Sequence, residues 1–326
     1  MKSERLKLRI YAGVTDQDWF EYLRSQPAID EVNFWQPSAN ADFRALSRGD
    51  LFLFKLHRGP KTDYRDLIAG GGVFASYSIL PIRMAWEAFE QRNGAASYSE
   101  MRGRLLHYRR IPDVPHEDFR VGCIVLTQPF FLDEGSWFPA PDWRPSIVRG
   151  KAKGYELDKE AGKFIWERVQ EAWQRQSVFD LDAEARRVNE EQARYGRETT
   201  IRPRLGQGAF RVMVTDAYDR ACAITEEHSL PALEAAHIKP YTENGPHAVS
   251  NGVLLLSDFH PLFDRGYITI TPEFKIEISR RLKEEFENGK SYYPFDGHVL
   301  NHLPAAAVDR PQRDLLIWHN ENVFKG

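Results

Sequence analysis

The stretch LEAAHIKPYTENGPHAVSNGVLLLSDFHPLFDRGYITI, residues 233–270, constrains the fold more than any other part of the chain. Leu233 to Ile238 alternates in the manner of a half-buried strand, and Pro240 ends it. Asn244-Gly245-Pro246 is turn chemistry. Val253–Leu256 is a short apolar strand. Ser257 suits the N-cap of a short helix over Asp258–Asp264, and Gly266 suits its stop. The spacing predicts strand, long loop, strand, short helix, strand. His260 and Asp264 are four apart and share a face of that helix. An imidazole and a carboxylate on one face are candidate ligands for a divalent metal ion.

Around this stretch, 326 residues suffice for two domains with separate cores. Residues 1–154 read as a β-rich unit. LKLRIYA (6–12), LFLFKL (51–56), GGVFASYSIL (71–80) and VGCIVLT (121–127) carry the β-branched and aromatic texture of strands. Pro81 suits a first helical position before Met84, Ala85 and Phe89. Ser97 and Glu100 form a capping box before a second helix. Prolines crowd the chain from Pro112 to Pro141, marking loops. Residues 155–198 read as a charged helical connector, with Ile165, Trp166, Val169 and Trp173 as one apolar stripe. Residues 199–326 form the third segment, with short strands, turns and one short helix.

Composition excludes several classes. Cys123 and Cys222 stand far apart and no CxxC occurs, which leaves no Cys₄ zinc site and no disulfide framework. No structural zinc is expected. The N-terminus MKSERLKLRIYAG has no apolar leader core, and runs such as Leu51–Leu56 are too short to span a bilayer. A cytoplasmic chain without membrane contact is expected. The net charge of −3 lacks the overall basic footprint of a nucleic-acid enzyme, although a local basic groove can sit on a neutral body.

Through AHIKP, NGVLLL and HPLFDRG, the stretch resembles the HNH, or ββα-metal, nuclease motif. The signature residues are His237, Asn251 and His260, spaced by 14 and then 9 positions. RPRLGQGAFRVMVTDAYDRACAIT (202–225) is similar to the lead-in of predicted HNH restriction endonucleases. EVNFWQP, LFLFKLH, AWEAFEQRNG and WRPSIVRGKAKGYEL are similar to the N-terminal part of a bacterial group of such enzymes.

The resemblance implies an α+β protein with a C-terminal ββα-metal nuclease domain. His237 is then the general base toward water, His260 binds one Mg²⁺ or Mn²⁺ ion, and Asn251 braces the loop that orients His237. Two departures from the family stand out. Ala236 occupies a position where many members carry a metal ligand, so Asp264, Glu234 or His247 must supply it. Cys222-x-x-Thr225 stands where zinc-ribbon variants have CxxC. Arg202, Arg204, Gln207, Arg211 and Lys239 are candidate contacts to nucleic-acid phosphates.

The β-rich unit, with eight Trp in the chain and an aromatic content of 13%, is similar to PUA-like barrels. Some of these hold a flipped modified base in an aromatic pocket. Phe34, Trp35 and Trp86 are the candidates for such a pocket, and Trp86, at helical spacing with Phe89, reads also as core. The expected function is a metal-dependent DNA endonuclease for restriction and antiviral defence, directed to modified DNA. A nuclease switched on by a small molecule, and a non-catalytic nucleic-acid reader with a decayed nuclease fold, are the alternatives. Self-association into a homo-oligomer stays open.

Overall fold

The structure is a computed structural model, which describes residues 9–27, 29–39, 43–56, 67–143, 152–179 and 206–326, with the backbone alone for 172–179. The expected phosphate contacts Arg202 and Arg204, the Trp173 side chain and the connector beyond 179 lie outside the described residues. The chain divides into two compact units, Met1–Pro203 and Arg204–Gly326.

The first unit contains β1 (Arg9–Thr15), α1 (Gln17–Arg24), β2 (Glu31–Gln36), β3 (Leu51–Leu56), β4 (Leu67–Pro81), α2 (Ile82–Phe89), α3 (Tyr98–Arg109), β5 (Arg120–Phe131), β6 (Phe138–Pro139), β7 (Lys153–Glu156) and α4 (Glu160–Phe179). Local signals place several ends. The Asp16 carboxylate accepts from Trp19 N at 2.7 Å and starts α1. Ser97 Oγ accepts from Glu100 N at 3.2 Å, and the Glu100 carboxylate reaches back to Ala96 N at 2.9 Å. Pro81 stands one residue before α2.

The strands form one mixed sheet in the order β2-β5-β4-β3-β1-β7, with β6 on β4. β1 and β3 run parallel, and the other neighbours are antiparallel. Every residue of β3 is buried, as its unbroken LFLFKL run requires of a strand covered on both faces. On one face Ile10, Leu51, Leu53, Ile68 and Phe130 pack with Ile165 and Val169 of α4. The apolar stripe of the segment expected as a connector therefore enters this core at its first turns. On the other face lies an aromatic cluster: Phe34 meets Phe52 at 4.7 Å and Trp19 at 5.3 Å, and Trp19 meets Phe54 at 5.1 Å.

The expected closed barrel is corrected to an open sheet. Its edges, β2 and β7, do not pair with each other among the described residues. The flank of β2 is instead occupied by the helical turn Glu90–Asn93: Trp35 Nε1 donates to Asn93 O at 2.9 Å, and Asn33 Nδ2 donates to Asn93 Oδ1 at 2.8 Å. Alternation within a strand sets its faces but does not name its neighbour.

The second unit contains α5 (Gln207–Ala217), β8 (Leu233–His237), β9 (Gly252–Leu256), α6 (Phe259–Asp264), β10 (Ile268–Ile270), β11 (Ile276–Ile278), α7 (Arg281–Phe286) and α8 (Arg313–Asn322). β8 and β9 pair antiparallel, from Leu233 opposite Leu256 to His237 opposite Gly252. The expectation of one short helix here is corrected to four among the described residues. In α5, Val212, Val214 and Thr215 are β-branched and lower its intrinsic helix preference, and the buried Phe210, Met213 and Val214 offset this through tertiary packing.

The short helix α6 starts one residue later than expected, because Asp258 rather than Ser257 stands at its N-cap. Its stop is a Schellman turn: Tyr267 N donates to Leu262 O at 2.8 Å and Gly266 N to Phe263 O at 3.0 Å. Gly266 has φ +74°, and a Cβ there would stand 1.9 Å from Val323 O, so only glycine fits. Among the described residues no helix is long and apolar enough to cross a membrane.

Candidate active site

The hairpin β8–β9 and helix α6 bring His237, Glu234, Asn251, His260 and Asp264 into one region of the second unit. Asn251 precedes β9 and is fully buried. Its Oδ1 accepts from Lys239 N at 2.9 Å, and its Nδ2 donates to Lys239 O at 2.9 Å and to Pro246 O at 3.1 Å. Ile238 N donates to Asn251 O at 2.9 Å. One amide thus pins both ends of the loop that leaves His237. Nothing but an amide supplies a donor pair and an acceptor in that arrangement.

His260 lies between two carboxylates. Its Nδ1 stands 2.6 Å from Glu234 Oε2 and its Nε2 3.3 Å from Asp264 Oδ2. The hydrogen bond to Asp264 raises the His260 pKa, burial opposes it, and Glu234 adds to the rise. Asp264 meets His260 through the i, i+4 spacing read from the sequence. Glu234 meets it from β8, on the side of the other ring nitrogen.

His237 ends β8. Its ring lies on Phe210 with centroids 3.8 Å apart and planes at 8°, and Tyr241 faces it edge-on at 4.5 Å. Its Nε2 is buried and has no hydrogen-bond partner among the described residues. Burial lowers its pKa to about 4, with Asp264 opposing and His260 and His247 adding to the fall. The imidazole is therefore neutral at pH 7 and able to accept a proton.

The remaining candidates are distributed more widely. The His247 ring lies flat on Tyr241 at 3.9 Å. Gln207 and Arg211 stand one turn apart on α5, Gln207 exposed and Arg211 half-buried. Lys239 Nζ lies 4.9 Å over the Trp318 ring. In the first unit, Phe34 and Trp35 are successive residues of β2 and contact different neighbours, Phe34 the aromatic cluster and Trp35 the Glu90–Asn93 turn. Trp86 on α2 meets Tyr98 at 6.5 Å.

The donors around His260 fit a divalent cation. One imidazole and flanking carboxylates are a nitrogen and oxygen set, and two ligands each about 2.1 Å from an ion at right angles stand about 3 Å apart, close to the Nε2 to Oδ2 spacing. Among the described residues no group of three or more His, Cys, Asp or Glu forms a full cage. The set suits an ion that keeps most of its waters and takes one or two side chains. Ala236 is fully buried and pairs with Val253, so its place in the hairpin belongs to the core.

Three residues escaped sequence reasoning. Phe210 and Tyr241 pack on His237 from outside the strand, and no periodic signal marks them. His319 on α8 is 2% exposed and lies flat on Phe263 of α6 at 4.0 Å. Its Nδ1 pairs with Thr269 Oγ1 at 2.8 Å and its Nε2 with Phe263 O at 3.2 Å. Burial lowers its pKa to about 4. A histidine whose pKa falls on folding contributes no loss above the unfolded value near 6.5 and costs stability as pH drops toward 4. The expected loss from His319 is about 2 kcal/mol at pH 5 relative to pH 8. Urea unfolding at both pH values checks this, because His319→Gln should show a flatter pH dependence than the native chain. Equal slopes would refute it.

Residues 222–271 match the family described as HNH endonuclease. Among curated proteins none matches. Of solved structures, the modification-dependent TagI restriction endonuclease aligns over 97% of this chain and 81% of its own, at 13% identity and a TM-score of 0.29. The type IV phosphorothioation-dependent restriction endonuclease ScoMcrA aligns over 77% of this chain and 51% of its own, at 11% identity and a TM-score of 0.18.

Proposed function

We propose that this chain, which carries an HNH endonuclease domain over residues 222–271, is a metal-dependent DNA endonuclease that serves restriction of foreign DNA. The observation that carries the hydrolytic reading is the pairing of a neutral His237, with an unpartnered Nε2, and His260 held between Glu234 and Asp264. His237 accepts a proton from water, the water oxygen adds to phosphorus, and the bond from phosphorus to the leaving sugar oxygen breaks. His260 and Asp264 would hold Mg²⁺ or Mn²⁺, and Glu234 orients His260 through Nδ1. When bound, the ion neutralises charge on the phosphate and the leaving oxygen. Asn251 keeps the loop after His237 in register. Gln207, Arg211 and Lys239 are proposed phosphate contacts, with Arg202 and Arg204 added from the sequence alone.

A small nuclease core grips mainly the backbone and carries little base information. We assign target choice to the β-rich residues 1 to about 154, whose core is completed by Tyr155 and by Ile165 and Val169 of α4. A pocket built from Phe34, Trp35 and Trp86 together is not part of this assignment. The buried Ala236 favours one second reading, a nucleic-acid reader that does not cut.

The deciding experiment incubates the full chain with unmodified, methylated and hydroxymethylated plasmid in Mg²⁺, Mn²⁺ or EDTA. Cleavage is expected with a metal ion, none in EDTA, and more on a modified plasmid. No cleavage under any condition would leave the non-cutting reader. Equal cleavage of all three plasmids would remove the modification preference.

A further inference from the structure

Phe210 belongs to α5 and lies upstream of the family-matched segment. It is 2% exposed, and its ring covers one face of His237 at 3.8 Å and 8°. It comes this close because the residue opposite His237 in the hairpin is Gly252. A Cβ at 252 would stand 2.8 Å from Phe210 Cζ and 2.5 Å from Val214 Cγ2. Tyr241 bounds His237 on another side, edge-on at 4.5 Å and 67°, and is itself backed by the parallel His247 ring.

The need for such packing follows from what His237 lacks. A working imidazole is ordinarily held by a hydrogen bond at the nitrogen that does not react. Here the buried Nε2 has no partner among the described residues. The strand ladder sets the His237 backbone, but the terminal torsion of an imidazole has a broad energy profile. With no bond at Nε2, a flat ring pressed on one face and an edge on another restrain the plane.

We propose that Phe210 is a positioning residue for catalysis, setting the His237 imidazole plane by face-to-face stacking. The inference rests on His237 as the general base. A base misplaced by about 1 Å loses about 10²-fold in rate. Removing the stack therefore acts on turnover, whereas phosphate contacts elsewhere keep substrate affinity.

The test uses the full chain as native protein, Phe210→Leu, Phe210→Met and Phe210→Tyr. Cleavage of a DNA duplex in Mg²⁺ gives kcat and KM. Proton NMR of histidine-labelled protein reports the His237 Cε1–H signal, identified by its loss in His237→Ala. A proton over an aromatic face resonates upfield, so the native signal is expected upfield of the exposed histidines. Phe210→Leu and Phe210→Met should return it toward their position and lower kcat about 10- to 100-fold, with KM within about twofold. Phe210→Tyr should restore both. A folded Leu or Met variant with an unmoved signal overturns the proposal, as does a rise in KM at constant kcat, or no rescue by Tyr. His237→Ala cutting at the native rate would instead defeat the base assignment, while the upfield signal of the native chain would still report the stack.

Discussion

His237→Ala is expected to slow DNA cleavage by about 10²–10⁴-fold while leaving the fold and DNA binding in place. The neutral ring carries a nitrogen without a protein partner, beside a histidine framed by carboxylates. The bonds to Asp264 and Glu234 favour the protonated form of His260, which leaves His237 the better proton acceptor of the two. The fold should survive because the buried Nε2 of His237 makes no hydrogen bond, so its removal forfeits the stack on Phe210 and the edge contact with Tyr241, about 1 kcal/mol for each pair beyond the area buried. Single-turnover cleavage, fluorescence anisotropy with labelled duplex and circular dichroism check the three parts. Cleavage at the native rate would remove His237 from the role assigned to it.

His260→Ala is expected to abolish saturable Mn²⁺ binding in calorimetry, and Asp264→Ala to weaken it by about 10–100-fold. His260 supplies the only imidazole between the two carboxylates, and Asp264 Oδ2 lies at the nitrogen opposite the one that Glu234 engages. The helix beneath them is short, but it is capped by Asp258 and closed by the Gly266 turn, so its face is held without the histidine. Glu234→Ala should cost about tenfold, the effect of losing a partner that orients a ligand. Unchanged affinity in His260→Ala would reject the site. Unchanged affinity in Asp264→Ala, with loss in Glu234→Ala, would make Glu234 the second ligand.

Much of this arrangement was legible from consecutive residues. The turn after α6, the hairpin strands and the β3 run follow from glycine, alternation and apolar continuity, each a property of a few neighbours along the chain. His260 and Asp264 meet because they are one helical turn apart, and Asn251 sits in the loop it braces. The contacts that escaped were set by distant partners, even where the residue itself was a candidate. Glu234 reaches His260 across 26 positions, and Phe210 reaches His237 from a helix whose β-branched residues hide its type.

The sequence by itself determined the strand, loop, strand and helix of the nuclease motif and the one-face placement of His260 with Asp264, because those depend on local geometry that repeats at fixed spacing. Only the tertiary structure decided that the first unit's sheet stays open, that Phe34 and Trp35 serve different packing groups, that Glu234 takes the second nitrogen of His260, and that Phe210, Tyr241 and His319 back the working residues. Those outcomes turn on which surfaces meet after the chain collapses. The apolar pattern says that a side chain is to be buried, and leaves its partner to the packing of the whole unit.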